Sequence, residues 1–155
     1  MKEFGLLVAG SRTFDNYQML SSTLDKLLSN KQDSKIVIIE GEARGADTLA
    51  KKYAEERGYE IRPFPADWKG WGKRAGYMRN VEMHGALAKY EDRGCVCFWD
   101  GQSKGTKHNF LLAYKRNTPI RIIRNGVYVE QEEYLEIAQA MYNEEVARFQ
   151  ASCRF

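Results

Sequence analysis

Residues 98–109 combine the groups that bind a phosphate at the start of a helix. The apolar run 95–99 leads into a short glycine-bearing loop with Lys104 and Thr106, and a helical pattern of apolar residues follows. A helix N-terminus offers unpaired backbone N–H groups and the positive end of the helix dipole, and glycine allows close approach to the backbone. The stretch therefore predicts a phosphate site; the alternative is an ordinary strand-to-helix turn in which Thr106 is the N-cap.

The same design recurs in three loops upstream, since each follows a predicted strand and carries a glycine and at least one cation. The four loops are residues 10–12, 41–47, 67–73 and 100–106. Strand-to-helix loops of a parallel sheet emerge at its carboxyl edge, where such sheets bind their ligands. Cations and N–H groups suit phosphate, and an indole ring suits a base, so the four loops together predict a nucleotide pocket.

The expected ligand-binding residues lie in these loops and in the helix that follows the third one. They are Gly10, Ser11, Arg12, Gly41, Arg44, Gly45, Ala46, Asp47, Trp68, Asn80, Ser103, Lys104, Gly105 and Thr106. Arg12 and Arg44 would clamp phosphate charge, and Trp68 or its neighbour Trp71 would stack on the base. The patterns Gly-x-x-x-x-Gly-Lys-Ser/Thr and Gly-x-Gly-x-x-Gly are absent, which argues against a Walker-type triphosphatase and an ordinary dinucleotide dehydrogenase.

The composition predicts one globular domain that spans residues 1–155 and lies in the cytoplasm. Hydrophobic residues make up 43% and charged residues 29% of the chain, and the net charge is +3. No apolar run approaches the roughly 18 residues of a membrane helix, and the N-terminus lacks the pattern of a signal peptide. The three cysteines and two histidines assemble no disulfide framework and no zinc spacing, so we expect neither a metal nor a cofactor.

Hydrophobic periodicity predicts alternating strands and helices, and hence an α/β fold. Strands are predicted at residues 4–9, 36–39, 59–64, 95–99 and 118–123. Helices are predicted at residues 17–28, 46–57 and 73–90, from Thr106 onwards, and at about 130–149. Parallel strands joined by helical crossovers form a sheet that is covered on both faces. We therefore expect a Rossmann-like three-layer domain with a mostly parallel sheet of about five strands, on which the C-terminal helix packs.

Five motifs carry a resemblance to a known group. They are residues 9–14, 40–47, 65–68, 72–80 and 98–106. In this order they resemble the YspA/YpsA-related branch of the SLOG superfamily, which also contains the DNA-processing protein DprA and the Lonely Guy phosphoribohydrolases. The resemblance implies a Rossmann-like fold and a site for a nucleotide or a nucleotide-derived ligand. Members occur in bacteria and phages, sometimes linked to nucleotide signalling and defence, which favours a sensor or sequestering protein.

A second hypothesis is an N-glycosidase that acts on a nucleoside monophosphate. The Lonely Guy enzymes use a Gly-Gly-x-Gly-Thr-x-x-Glu loop and an upstream arginine, for which Arg79 is the counterpart here. The position of their glutamate holds Asn109, which cannot take up a proton as a carboxylate does. Asp67 and Asp100, at the ends of the third and fourth strands, are then the best placed acids, and Asp47 is equally well explained as a helix N-terminal carboxylate.

A third hypothesis is a module that binds single-stranded nucleic acid, as kinship with DprA allows. The cations that would follow the strand, beside Trp68 and Trp71, are Lys69, Lys73, Arg74, Arg79 and Lys107. His108 is expected on the surface of its helix, because it lacks an evident carboxylate partner. Apolar faces on the helix at 73–90 and on the C-terminal helix would support a homo-oligomer, although core burial explains them equally well.

Overall fold

Six strands form the central sheet in a computed structural model, which describes residues 2–153. The strands are β1 (Glu3–Gly10), β2 (Lys35–Glu40), β3 (Glu60–Pro63), β4 (Asp92–Trp99), β5 (Ile120–Arg124) and β6 (Val127–Tyr128). Their order is β3-β2-β1-β4-β5-β6, and every neighbouring pair is parallel except β5 and β6. The chain reverses its direction across the sheet between β1 and β4, so ligands are expected beyond the carboxyl ends of these two strands.

The helices connect these strands and cover both faces of the sheet. They are α1 (Tyr17–Leu27), α2 (Ala46–Arg57), α3 (Trp68–Trp71), α4 (Ala75–Leu87), α5 (Lys104–Lys115) and α6 (Gln131–Ser152), with a 3-10 turn at Gly72–Arg74. Within the described residues, none of these helices has the length and apolar character needed to cross a bilayer. The predicted α/β, Rossmann-like arrangement is confirmed.

Alternation of side chains along the strands produces two cores, one on each side of the sheet. On one side Leu6 and Val8 of β1 pack with the buried leucines of α1 and with α2. On the other side Leu7 and Ala9 pack with α4, α5 and the first half of α6. Successive residues of β1 therefore belong to different cores. As a result, the loop after β1 lies between helices that pack on opposite faces of the sheet.

The sheet has six strands, whereas about five were predicted. The additional strand is β6. Asn125 and Gly126 both have positive φ angles, 51° and 85°, as a two-residue hairpin of type I′ requires. The turn reverses the chain, so that β6 runs antiparallel to β5. A strand of two residues shows no periodicity, so only its turn could be recognised in the sequence.

The segment between β3 and α4 also differs from the prediction. The stretch 67–73, predicted to be a loop, contains α3, whose N-cap Asp67 accepts a hydrogen bond from the backbone N–H of Gly70 at 2.9 Å. The helix predicted at residues 73–90 begins only at Ala75 and ends at Leu87. Gly72, with φ of 60°, breaks the helical path between α3 and α4.

Candidate functional site

A cavity of about 270 Å³ lies beyond the carboxyl ends of β1 and β4. Its wall comes from the loops after β1 and β2, the start of α2, one face of α4 and the first two turns of α5. Gly10 makes this convergence close, because a Cβ there would lie 2.5 Å from the carbonyl oxygen of Phe98 and 2.6 Å from the Cβ of Ala46. Only a glycine lets β1 approach β4 and α2 this closely.

The loop before α5 is held by its own side chains. Oδ1 of Asp100 accepts hydrogen bonds from the backbone N–H groups of Gln102 and Ser103, at 2.8 and 2.7 Å. These bonds lower the pKa of Asp100. Ser103 is the N-cap of α5 and accepts from the N–H of Thr106 at 3.3 Å, so Thr106 is not the N-cap. The backbone N–H groups of Lys104 and Gly105 lie in the first turn of α5, so no carbonyl oxygen within the helix accepts a hydrogen bond from them.

Two guanidinium groups line the same cavity as this helix start. Arg12 is exposed, and Arg79 is half-buried. Nη1 of Arg79 donates to the carbonyl oxygen of Gly41 at 2.5 Å, and its Nε donates to Oδ1 of Asn80 at 2.9 Å. Burial lowers the pKa of Arg79, and the nearby Asp47 carboxylate opposes this shift. The guanidinium is thus fixed in the wall by two acceptors while its charge faces the cavity.

Asp47 supplies the carboxylate of the cavity. It is the second residue of α2, its side chain is almost fully buried, and its Oδ2 accepts from the N–H of Ala43 at 3.3 Å. Burial raises the pKa of Asp47 to about 6, although the Arg79 guanidinium and the neighbouring N–H groups oppose the shift. The group therefore titrates close to neutral pH in a cavity whose other charges are positive.

A second buried carboxylate lies behind the loop after β2. Glu40 is fully buried, its Oε2 accepts from the N–H of Glu42 at 2.5 Å, and its Oε1 has no hydrogen-bond partner among the described residues. Burial raises the pKa of Glu40 to about 7. Glu40 does not line the cavity, and sequence reasoning did not single it out.

His108 is buried, whereas the sequence analysis placed it on the helix surface; that expectation is wrong. Tyr77 of α4 covers it, with ring centroids 4.2 Å apart and ring planes 15° apart. The amide Nδ2 of Asn80 lies 3.2 Å from Nδ1 of His108 and donates to it, so the neutral ring carries its proton on Nε2. Burial lowers the pKa of His108 to about 4, and its Nε2 lacks a partner among the described residues.

Tyr77 and His108 are therefore cavity residues that the sequence analysis missed. Tyr77 lies three residues before Asn80, which is the spacing of neighbours on one helix face. His108 lies four residues after Lys104 on α5, also on one face. This spacing was the available signal, but it becomes informative only once α4 and α5 are known to face each other.

A second compartment of about 440 Å³ adjoins the first. The two share Arg12, Ala43 and Arg79 as lining residues, and Arg44 and Trp68 line only the second. Trp71 lines neither compartment and is exposed on α3.

Most of the expected ligand-binding residues meet at these two compartments. The first is lined by Gly10, Arg12, Asp47, Asn80, Ser103, Lys104, Gly105 and Thr106, and the second by Arg12, Gly41, Arg44 and Trp68. Three of the expected residues line neither: Ser11, Gly45 and Ala46. The Oγ of Ser11 instead accepts from the N–H of Asp100 at 3.0 Å and so ties the first loop to the fourth.

The acids expected for hydrolysis are not brought together. Asp67 caps α3 and Asp100 orders the loop before α5, and neither lines the two compartments. Arg79 does line both. Asp47 is thus the carboxylate that the fold places beside Arg79.

Comparison with known proteins agrees with this architecture. The model of a family described as the YspA, cpYpsA-related SLOG family matches residues 5–71. The Gene 61 protein of Mycobacterium phage D29 is 34% identical over 121 residues, which cover 74% of this chain and 92% of that protein. DNA processing protein A (DprA) from Streptococcus pneumoniae has a similar fold, with a TM-score of 0.51 and 14% identity. That match covers 90% of this chain and 56% of the DprA chain, so this chain spans about half the length of DprA.

Proposed function

Because this chain belongs to the YspA, cpYpsA-related SLOG family, we propose that its cavity binds a nucleotide or a nucleotide-derived ligand. The observation that carries the proposal is the composition of one wall. The first turn of α5 with Lys104 lines the same cavity as the guanidinium groups of Arg12 and Arg79. Backbone N–H groups at a helix start and paired cations are complementary to a phosphate.

The remaining cavity groups suit the sugar and the base. Asp47 accepts hydrogen bonds but donates none when it is ionised, so it is matched to the hydroxyl groups of a ribose. The Tyr77 ring, which rests on His108 and is itself half exposed, offers a flat surface for a base. The Nε2–H of His108 is buried beneath Tyr77 and has no partner among the described residues, so the His108 ring serves as the support for Tyr77.

Calorimetry with AMP and adenosine tests this proposal. AMP should bind, and adenosine should bind much more weakly because it lacks the phosphate. Lys104→Ala should weaken AMP binding by about 10-fold or more. Lys107→Ala is the matched control, since Lys107 lies on α5 but lines neither compartment, and it should change the affinity by less than about twofold. Absence of binding for AMP and for other mononucleotides at millimolar concentration would contradict the proposal.

Asp67 and Asp100, the acids expected for hydrolysis, line neither compartment. A protein that binds its ligand without converting it, as a sensor or sequestering protein does, needs no such acids. We propose that this role belongs to nucleotide signalling or to conflict between phage and bacterium, in the cytoplasm. The similarity to a protein of a mycobacteriophage supports the phage-related part of this proposal. In such a role the ligand is held rather than converted.

The second candidate is an N-glycosidase, and the position of Asp47 favours it. Departure of the base builds positive charge on the ribose, which a carboxylate within the cavity would stabilise. Asp47 takes this place, rather than Asp67 or Asp100, because it lines the cavity beside Arg79. Release of free base from AMP that Asp47→Asn abolishes would support hydrolysis. Unchanged AMP after long incubation with a protein that binds it would remove this candidate.

A further inference from the structure

The two compartments are parts of one larger site. They share Arg12, Ala43 and Arg79, so the wall between them consists largely of guanidinium groups. Pockets for small molecules usually measure about 300–1,000 Å³. The first compartment, at about 270 Å³, is small for a complete ligand, and the second adds about 440 Å³ directly beside it.

Each compartment of this larger site is lined by one exposed aromatic ring. Tyr77 lines the first compartment and Trp68 lines the second, and both side chains are 53% exposed. Trp68 lies beside the residue that precedes Tyr77, because a Cβ added at Gly76 would lie 4.0 Å from Cη2 of Trp68. Each ring therefore offers a stacking surface that a separate base could occupy.

The shared arginines are available to a ligand. No ion pair within residues 2–153 uses Arg12, Arg44 or Arg79. The Asp47 carboxylate approaches Arg12 and Arg79 and balances part of their charge. Positive charge thus remains where the two compartments meet.

We infer that the site takes a dinucleotide, with one nucleoside in each compartment and the linking phosphates beside Arg12 and Arg79. This inference rests on the proposed nucleotide binding and adds a second nucleoside, which occupies the second compartment. One base stacks on Tyr77, as in a mononucleotide complex, and the other stacks on Trp68. A mononucleotide then fills the first compartment and leaves Trp68 without a contact.

Calorimetry with AMP, ADP and diadenosine diphosphate tests the inference. The dinucleotide should bind about 10- to 100-fold more tightly than ADP, which has a comparable phosphate chain but only one base. Trp68→Ala should remove this advantage and weaken the binding of the dinucleotide about 10-fold more than the binding of AMP. Tyr77→Ala should weaken the binding of both. Trp71→Ala is the matched control on the same short helix, because its ring lines neither compartment, and it should have no effect.

The outcomes separate the inference from the proposed function. Equal affinities for ADP and diadenosine diphosphate would overturn the inference and leave nucleotide binding intact. So would a Trp68→Ala variant that loses AMP and dinucleotide to the same extent, since a single base would then rest on Trp68. Absence of binding for all three compounds would overturn the proposed function itself. Because Trp68 and Trp71 are both exposed, neither variant removes a core contact.

Discussion

Nε2 of His84 lies 2.9 Å from Oδ1 of Asn109, and this hydrogen bond joins α4 to α5 behind the cavity. The amide Nδ2 of Asn109 donates in turn to the carbonyl oxygen of Gly105, in the first turn of α5. The position that holds a glutamate in the Lonely Guy enzymes therefore supports the helix start here. Burial lowers the pKa of His84 to about 4, so the ring is neutral at pH 7.

Asn109→Asp should raise the pKa of His84. The substitution keeps the size of the side chain and places a carboxylate within hydrogen-bond distance of Nε2, which stabilises the charged imidazolium. We expect a rise of about 1–3 units from the present value of about 4, measured by NMR titration of the histidine ring protons. An unchanged pKa of His84 would show that Asn109 is not its partner in solution.

Glu40→Gln should stabilise the protein at high pH. The pKa of Glu40 is raised from 4.5 to about 7, so between these values the folded state binds more protons than the unfolded state. Stability from this group is thus fully present below about pH 4.5 and is lost as the pH rises to about 7. Glutamine stays neutral at every pH, so the Glu40→Gln variant does not lose this stability as the pH rises. We expect the free energy of unfolding to rise by about 1–3 kcal/mol at pH 8 and to change little at pH 4.5.

Urea denaturation of the Glu40→Gln variant at the two pH values measures this difference. Glu55→Gln, on the exposed face of α2, is the control and should shift the free energy of unfolding by less than about 0.5 kcal/mol at both. A Glu40→Gln effect that is the same at pH 4.5 and pH 8 would rule out burial of the charge as its cause.

Gly45→Ala should be far more destabilising than Gly58→Ala. Both glycines have positive φ, 86° and 71°, but a Cβ at Gly45 would lie 2.4 Å from the carbonyl oxygen of Ser11, whereas a Cβ at Gly58 would meet nothing within 4 Å. Gly58→Ala therefore costs only the strain of a left-handed alanine, about 1–2 kcal/mol. Gly45→Ala adds a backbone clash and should cost about 2–5 kcal/mol. Equal losses of unfolding free energy in urea denaturation would contradict the close packing of the loop after β2, which holds Gly45, against the loop after β1, which holds Ser11.

Gly41→Ala should weaken nucleotide binding without removing a charge. A Cβ at Gly41 would lie 2.5 Å from Nη1 of Arg79, so the guanidinium must move away from the carbonyl oxygen that now holds it. Loss of one such hydrogen bond corresponds to about a 3- to 10-fold lower affinity for AMP in calorimetry. Because a flexible side chain can shift, the stability of the fold should change much less. Full affinity in this variant would show that Arg79 does not need its bond to Gly41.

Most of the architecture was readable from local patterns. The apolar runs of β1, β2 and β4 and the spacing of leucines in α1 are properties of neighbouring residues, which the fold preserves. The short strand β6 and the short helix α3 were missed, because two to four residues are too few to show a period. The convergence of the four loops also followed from the sequence, since parallel strands send their loops to one edge.

The roles of single polar side chains depend on partners far away along the chain. Asp67 and Asp100 look like free acids in the sequence, yet each is engaged by the N–H groups of its own loop. His108 looks like a surface residue, yet Tyr77, 31 positions earlier, covers its ring. Burial shifts a pKa through the removal of water by distant segments, so it has no signature in the nearby sequence.

The sequence by itself determined the order along the chain of the longer strands and helices, the edge at which their loops meet and the family to which the chain belongs. These depend on the spacing of apolar residues and on short motifs, which are local. Only the tertiary structure decided that Asp47 is the carboxylate of the cavity, that Tyr77 lines it and that the arginines divide two compartments. The reason is geometric: packing of α4 against α5 and of β1 against β4 sets which side chains lose water and which face the same space.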